Sequence, residues 1–410
     1  MVRLLTPTII VGLAWAGVTT AADHSEDRHH FSMQLALSYT SASTPLVSWT
    51  EGGVGKLRYD ENNDGFTGAR AFVEYRGQIT PTLSVTAIAD FVDDASAGLD
   101  LTEAYLSWLP VPKGPNRTQW KFGAFYPPLS LENTGTGWSS PYTRSYSAIN
   151  TWIGEEVRVF GAEWSVRRRL GGPASPHRLR FLAAGFYGND PAGTLVTFKG
   201  WSLHDRQTRL DDELPLPNGN SLRPFLEIDQ RPGYYAGLEW RYAKLLLIRA
   251  IHYDNRADPN EFSGGEWGWD THFNHIGTQI QGPWELGLVA QWLQGNTVWI
   301  LGATPGGQIV GSGPLISTDF ESSFVLLTRQ FKNHRASLRY DDFEVSDGTG
   351  QVDNGHGWTL AYQYKATPRI TVGAEWLSVN TWHPRWSFLG LNPSATERQL
   401  QLGVSIRLGK

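Results

Sequence analysis

The sequence has 410 residues, a formal net charge of −5 and no cysteine. A chain without cysteine has neither a disulfide framework nor a thiolate metal site, and its mild acidity does not favour nucleic-acid binding. Gly is abundant at 44 residues, and the chain has 18 Trp and 15 Tyr but only two Met, a composition that favours strands and turns over helices.

Residues 1–22 have the pattern of a secretory signal peptide. Arg3 provides the positive start, and the stretch from Leu4 to Val18 is mostly apolar. Small residues follow, so cleavage after Ala21 or Ala22 is expected. An uncleaved N-terminal anchor is the alternative, but the apolar core is shorter than a bilayer requires. No later apolar stretch is long enough for a transmembrane helix, so a membrane-spanning mature chain would cross with strands. We expect residues 23–410 to form one domain.

From Phe31 onward, segments of alternating polar and apolar residues recur. In the last segment one parity is apolar (Leu400, Leu402, Val404, Ile406, Leu408) and the other mostly polar (Gln399, Gln401, Gly403, Ser405, Arg407). Successive side chains on a strand point to opposite faces, so this period of two predicts a two-faced β-strand. The pattern predicts sixteen strands, at residues 33–39, 66–79, 82–93, 101–109, 118–126, 155–169, 177–187, 234–242, 244–253, 272–281, 284–293, 320–330, 335–344, 358–365, 369–378 and 398–408.

The connections between these segments alternate between tight and long. Thr80-Pro81 and Lys332-Asn333 are tight, whereas residues 127–154 and 189–232 are long and irregular, and we interpret residues 296–301 as part of a loop. An even number of antiparallel strands, with short turns on one rim and long loops on the other, is typical of a barrel in the outer membrane of a Gram-negative bacterium. We therefore predict an all-β, sixteen-stranded antiparallel transmembrane barrel.

Aromatic residues fall near the predicted strand ends, on the apolar parity. Amphipathic rings at both rims form the aromatic girdles of membrane barrels. The alternative is the core of a soluble β-sandwich, which rarely has so many strands in such a regular order. The predicted girdle residues are Trp108, Trp120, Tyr126, Trp240, Tyr242, Trp284, Trp292, Tyr340, Trp358 and Trp376.

A short motif carries a family resemblance. The run from Lys121 to Phe125, followed by Tyr126-Pro127-Pro128-Leu129-Ser130-Leu131-Glu132, resembles the end of the fifth strand and the start of the third loop in phosphate-selective porins of the O/P family. The resemblance extends through Arg144 and Ser145 to Gly154. Tyr126 stands where many members have a basic residue, and the chain ends in Lys410 where members usually end in Phe. The resemblance implies a trimeric outer-membrane channel whose pore is narrowed by an inward-folded third loop.

If the apolar parity faces lipid, the polar parity lines the lumen, where basic residues outnumber acidic ones. Basic side chains favour anions, so we expect passive diffusion of small hydrophilic solutes with a mild anion preference. The resemblance implies phosphate as one of these anions. The alternative for each single charge is compensation by an opposite charge on the next strand. The candidate pore-lining residues are Arg70, Arg76, Lys121, Arg167, Arg178, Arg180, Arg335, Arg339 and Arg369 on the wall, and Glu132, Tyr142 and Arg144 in the third loop. Lys365 and Arg407 share the inward parity.

No cofactor, metal or catalytic site is predicted. The chain has no Gly-x-Ser-x-Gly or His-Glu-x-x-His motif, and His272 and His275 would point to opposite faces of a strand. Three other interpretations remain open. They are a lipase using Ser337 and His334 on the lipid side, a rim Ca²⁺ site at Asp93-Asp94 or at Asp341-Asp342 with Glu344, and a secreted or periplasmic carbohydrate-binding protein or glycosidase using Glu103 and Glu163.

Overall fold

The computed structural model describes residues 28–92, 98–216, 219–300 and 316–409. Within these residues sixteen antiparallel strands close into one barrel, as predicted. The predicted signal peptide and Asp93-Asp94 lie outside the described residues. No helix in the described part of the chain is long and apolar enough to cross a membrane.

The barrel strands all coincide with predicted strands, with shifted ends. They are β1 (His29–Ser43), β2 (Gly65–Thr80), β3 (Leu83–Val92), β4 (Gly98–Trp108), β5 (Asn116–Phe125), β6 (Val159–Arg169), β7 (His177–Tyr187), β8 (Gly233–Tyr242), β9 (Leu246–Asp254), β10 (Asp270–Gln281), β11 (Leu286–Trp299), β12 (Ile316–Phe331), β13 (His334–Asp347), β14 (Gly350–Lys365), β15 (Ile370–Trp382) and β16 (Ser394–Gly409). Helix α1 (Ala148–Glu156) lies in the third loop, residues 126–158, and α2 (Thr194–Phe198) lies in the fourth loop, residues 188–232.

Three differences from the prediction are larger than a small shift of a strand end. Residues 296–299 continue β11 and pair with β12 instead of forming a loop. Glu155 and Glu156 end helix α1 and do not begin β6. The long loop expected after Glu344 is absent, because β13 and β14 extend to Asp347 and Gly350 and pair along their length. Their outward faces there are polar, so the periodicity of a half-buried strand is lost although the strand continues.

Pairing of the last strand with the first closes the barrel. β16 pairs with β1 from Ser32↔Gly409 to Ser43↔Arg398. Every strand therefore has a hydrogen-bonded neighbour on both sides, and the sheet has no free edge. Closure is a requirement for a sheet that crosses a bilayer, because lipid offers no partners to unpaired backbone groups.

The predicted parity is also observed. Leu400 and Leu402 on β16 are 44% and 49% exposed and face outward, whereas Gln399 and Gln401 are 5% and 4% exposed and face the interior. An apolar exterior on a closed antiparallel barrel is the arrangement of a transmembrane barrel. Of the predicted girdle residues, Trp358 faces outward and is 42% exposed, whereas Tyr126 is 4% exposed and does not face outward.

Tyr126 is buried inside the barrel because the chain turns inward after β5, and its ring stacks on Trp138 at 4.2 Å.

The interior differs most from expectation. All nine residues of α1 are buried inside the barrel, where Trp152 packs against the rings of Trp201, Phe273 and Phe320 at 5.2–5.9 Å. The inward parity of β9 to β13 carries buried apolar side chains, including Ile251 and Leu293. Within the described residues the lumen is therefore not a continuous water-filled cylinder. On the long-loop side, the third and fourth loops fill it with a packed core.

The apolar residues on the outward face of the barrel allow a stability prediction. Leu402→Arg places a charge in the middle of the apolar face and should destabilise the barrel by about 2–4 kcal/mol in a bilayer. Thr396→Arg, on the same outward face but beyond the apolar stretch, should cost less than about 1 kcal/mol. Urea unfolding in lipid vesicles, followed by Trp fluorescence, measures both. Equal effects of the two substitutions would contradict a lipid-facing exterior.

Candidate functional site in the barrel lumen

A cavity of about 410 Å³ lies inside the barrel on the side of the short turns. Its wall comes from β1, β2 and β12 to β16, from residues 135–146 of the third loop and from Asp205 of the fourth loop. Tyr142 and Arg335 also line a second, smaller cavity of about 210 Å³ next to it. The filled half of the lumen lies above these cavities, so they open away from the long loops.

The main cavity is lined by an excess of positive charge. Five of its cations have no carboxylate within 4.0 Å among the described residues: Arg144, Arg335, Lys365, Arg369 and Arg407. The cavity has one lining carboxylate, Asp205, which bonds to Arg58 at 2.9 Å. Burial alone would raise the pKa of Asp205, but the guanidinium groups of Arg58 and Arg70 outweigh it and hold that pKa well below its usual range. The surplus charge is therefore not neutralised by the lining.

Arg144 is held against the wall by its own backbone and by a glycine. Its backbone N–H and that of Ser145 donate to Glu375 on β15, at 2.5 and 2.9 Å. Its guanidinium donates to Ser38 Oγ at 2.5 Å and lies over Gly403 of β16, where a Cβ would come within 2.1 Å of Nη1. Any larger residue at position 403 would displace the arginine from this place.

Arg335 connects the third loop to β13. Its guanidinium donates to the carbonyl oxygen of Pro141 and, at 3.0 Å, to Gln330 Oε1. The same group lies 5.5 Å from the ring centroid of Tyr142, within the range of a cation–π contact. Arg335 and Tyr142 are therefore in contact beside the cavity, and Arg144 lines its wall from the third loop.

Arg339 and Glu132, in contrast, do not face the cavity. Both are fully buried, and Arg339 bonds to Glu132 and to Asp341 at 2.7 Å each. Its remaining donors bond to the carbonyl oxygens of Ser145 and Tyr146 at 2.8 and 2.9 Å. A buried guanidinium needs partners for all its donors. The inward fold of the third loop supplies them, so this pair fastens the loop to β13.

The other predicted wall cations mostly have local partners. Arg70 lines the cavity but is buried and bonds to Asp90 at 2.8 Å, while Arg180 bonds to Glu163 at 3.1 Å. Arg76 bonds to Glu74, and the Lys121 ammonium lies 4.6 Å from the ring centroid of Phe125. Arg167, which donates to Gln119 at 3.1 Å, and Arg178 are exposed on the opposite wall. Cross-strand ion pairs thus compensate Arg70 and Arg180, and Arg76 is paired within its own strand.

The enzymatic and metal candidates are dispersed. Ser337 faces the interior and donates to Thr328 at 3.1 Å, so it cannot serve a lipase on the lipid side. Asp341 points inward and Asp342 outward, so the two cannot share an ion. Glu103 accepts from the backbone N–H of Tyr126, and Glu163 from Arg180 and the Tyr235 hydroxyl. Both carboxylates therefore have structural partners.

The third and fourth loops join through two adjacent carboxylates. Glu155 accepts two hydrogen bonds from Lys199 Nζ, at 3.0 and 2.9 Å. Glu156 accepts from the backbone N–H of Leu195 at 2.9 Å and from Trp152 Nε1 at 2.5 Å. Burial raises the pKa of Glu156 to about 7, more than these hydrogen bonds lower it. This loop contact therefore contains a group that titrates near neutral pH, which no sequence pattern indicated.

The barrel is similar to solved outer-membrane porins. It matches the outer membrane channel DcaP of Acinetobacter baumannii over 95% of this chain and 100% of that one, at 12% identity and a TM-score of 0.53. OmpF of Salmonella typhi matches over 93% and 97%, at 12% identity and 0.52, and the trimer form of OmpT of Vibrio cholerae over 93% and 99%, at 11% identity and 0.50. No protein-family profile and no curated protein sequence matches the chain. At such low identity the similarity shows the porin-type fold alone.

The buried ion pair between Arg339 of β13 and Glu132 of the third loop allows a prediction about how the loop is held. Arg339→Met leaves Glu132 and Asp341 buried without their partner and should destabilise the protein by about 3–5 kcal/mol. Arg329→Met, on the exposed outward face of the neighbouring strand, removes the same charge and should change stability by less than about 1 kcal/mol. Unfolding in urea and limited proteolysis of residues 126–158 test both. Equal stability of the two variants would refute the fastening role.

The loop contact predicts a pH dependence. The pKa of Glu156 in the folded protein lies above its ordinary value of about 4.3, so the folded state binds an extra proton between these values. The resulting stabilisation is complete below about pH 4.3 and is lost as the pH rises through 7. Hydrogen exchange of residues 193–199, corrected for intrinsic rates, should lose about 30-fold in protection between pH 5.5 and 8.

Glu156→Gln should abolish this pH dependence, because the amide does not titrate. The matched control Glu155→Gln removes the neighbouring carboxylate and should retain the dependence. A pH profile that Glu156→Gln leaves unchanged would assign the titration to another group.

Proposed function

We propose that this protein is an outer-membrane channel for passive diffusion of small hydrophilic solutes, with a preference for anions. The observation that carries the proposal is the group of five cations around the main cavity without a carboxylate partner among the described residues. Fixed charges of one sign inside a low-dielectric wall raise the local concentration of the opposite ion and lower its barrier to entry. This role requires no cofactor, and we propose no catalytic role for the site.

The fold supports the location and the type of transport. A closed barrel with an apolar exterior suits the outer membrane of a Gram-negative bacterium, and we propose that residues 1–22 direct export there. The short turns would then face the periplasm, and the basic cavity would be a periplasmic vestibule. A homotrimer fits the resemblance found in the sequence and the trimer form described for OmpT. The apolar exterior does not suit a secreted glycosidase.

Phosphate is one candidate solute within this class. The motif that follows β5 resembles phosphate-selective porins, and guanidinium groups match the geometry of phosphate and carboxylate oxygens. In the cavity, however, Arg144, Arg369 and Arg407 share the lining with Lys365, whose ammonium acts as a compact charge without planar geometry. We therefore propose small oxyanions as the solute class, with phosphate included.

Replacement of both arginines at the third loop tests the anion preference. The variant Arg144→Gln/Arg335→Gln removes two uncompensated charges and should lower the anion-to-cation permeability ratio by about two- to tenfold, or ~0.4–1.4 kcal/mol. Reversal potentials in planar bilayers under a KCl gradient, then under phosphate and sulfate, measure the ratio. Arg385→Gln removes a charge paired with Asp347 at the far rim and serves as the control. Clear cation preference of the unaltered protein would contradict the proposal.

A further inference from the structure

One segment of the fourth loop runs across the inside of the barrel. We call residues 199–210 the strap. At one end Trp201 donates from its backbone N–H to Asp353 Oδ2 on β14 at 3.1 Å, and from Nε1 to the carbonyl oxygen of Glu344 on β13 at 3.0 Å. At the other end Arg209 donates to the Gly98 carbonyl oxygen of β4 at 2.7 Å, and the N–H of Leu210 donates to Leu101 of β4 at 3.0 Å.

These two anchor points are far apart on the ring. Between β14 and β4 the shorter way round the barrel passes β15, β16, β1, β2 and β3. A chain segment bonded to both strands therefore crosses the lumen as a chord and does not follow the wall. The strap carries Trp201 and Leu203 into the core of the barrel, where they are 0% and 1% exposed.

The strap is packed between two other loops. The N–H of Leu203 donates to the Lys56 carbonyl oxygen of the first loop at 3.0 Å. From the third loop, the N–H of Tyr146 donates to the carbonyl oxygen of His204, and the strap's Thr208 N–H donates to that of Gly154, both at 3.0 Å. The strap is therefore bonded to the first and third loops as well as to the wall.

Ionic contacts also hold the strap. Lys56 Nζ is fully buried and donates to Asp353 at 2.7 Å and to the Lys199 carbonyl oxygen at 2.8 Å, and Lys199 Nζ bonds to Glu155. Packed apolar side chains usually make a seal at least as stable as buried ion pairs do. Charged partners have a different advantage, because each is well solvated once water reaches it, so the seal can separate.

Unpaired polar atoms along the strap also indicate that it can separate from its neighbours. Ser202 Oγ, Thr208 Oγ1 and Asp353 Oδ1 are buried and have no hydrogen-bond partner among the described residues. Such groups are costly in a packed interior and regain hydrogen bonds when they become hydrated. In the closed arrangement, the polar groups at the strap are therefore less completely hydrogen-bonded than those of a permanent core would be.

We propose that the strap is an internal gate, and that solute passes only when residues 199–210 leave the chord between β14 and β4. This inference rests on the channel function proposed above. The gate separates the basic vestibule from the long-loop rim, so its position decides whether the vestibule cations face a continuous path or a closed chamber. The shortest release would be separation of the strap from Asp353, since the opposite end continues directly into contacts with β4.

A reversible covalent lock tests the gate. The chain has no cysteine, so a Leu203→Cys/Gly357→Cys variant contains only the designed pair. A Cβ at position 357 of β14 would lie 2.9 Å from Leu203 Cδ2, so the two side chains meet. Oxidised protein should conduct at least about tenfold less than the same protein after reduction, in planar bilayers. Each single-cysteine variant should be insensitive to the reductant, and mass spectrometry confirms the disulfide.

Variants that weaken or remove the strap's contacts test whether the gate can be opened. Asp353→Asn keeps the shape of the side chain but removes the charge partner of Lys56, and should raise the open probability by about tenfold. Asp347→Asn, in an exposed pair at the rim that does not touch the strap, is the matched control and should leave the open probability unchanged. Replacement of residues 199–210 by a short Gly/Ser linker should make conductance continuous.

The outcomes separate the gate from the channel. If the linker variant conducts and the oxidised lock conducts equally well, the gate is wrong and the channel stands. If the linker variant and the reduced lock variant both fold, as shown by heat-resistant migration on gels, and neither conducts, the channel function itself is wrong. If oxidation closes the pore and reduction opens it, the gate is supported even if Asp353→Asn fails to fold, because the lock leaves Asp353 in place.

Discussion

The requirement that every backbone N–H and C=O in the wall has a partner governs the rest of this structure. Lipid cannot supply those partners, so the sheet closes, with β16 paired to β1 over the range from Ser32↔Gly409 to Ser43↔Arg398. Closure gives each strand one lipid face and one inner face, and the parity of a residue then decides its environment. Leu402 and Gln401 are neighbours in sequence but lie in lipid and in the interior respectively.

The inner face has to accommodate many charges in little water, and it does so in two ways. Where a loop folds onto the wall, charges are paired and buried, as Arg339 is with Glu132 and Asp341. Where space remains, the cations are left without acids, as Arg369 and Arg407 are at the main cavity. The same residue type therefore fastens a loop in one place and sets the local potential in another, and burial distinguishes the two roles.

The loops make the interior asymmetric along the barrel axis. On the short-turn side the lumen is open and basic, while on the long-loop side it is filled by α1, the strap and aromatic rings such as Trp152. A barrel of this size with an empty centre would conduct freely. This one combines a vestibule suited to anions with an internal segment held by ion pairs, so selectivity and closure would depend on different residues that can be changed separately.

The local pattern of the sequence was enough to find all sixteen strands and the direction in which their side chains point, because a period of two depends only on neighbours along the chain. The prediction failed at the polar extensions of β13 and β14, where the sequence has no such period, and at Glu156, where a helix ends. It also could not separate compensated from uncompensated cations. Pairs such as Arg70 with Asp90 depend on strand register, and Arg144 on a glycine in β16.

Only the tertiary structure could show that the fourth loop enters the barrel. Lys56, Lys199 and Asp353 come from three distant parts of the chain, and the residues next to each of them form no motif. Their contact exists because the closed wall brings β14 beneath two loops at once. The sequence by itself thus determined the wall, whose interactions repeat from residue to residue. The contents of the lumen were decided by contacts between segments far apart in the chain, where no local period exists.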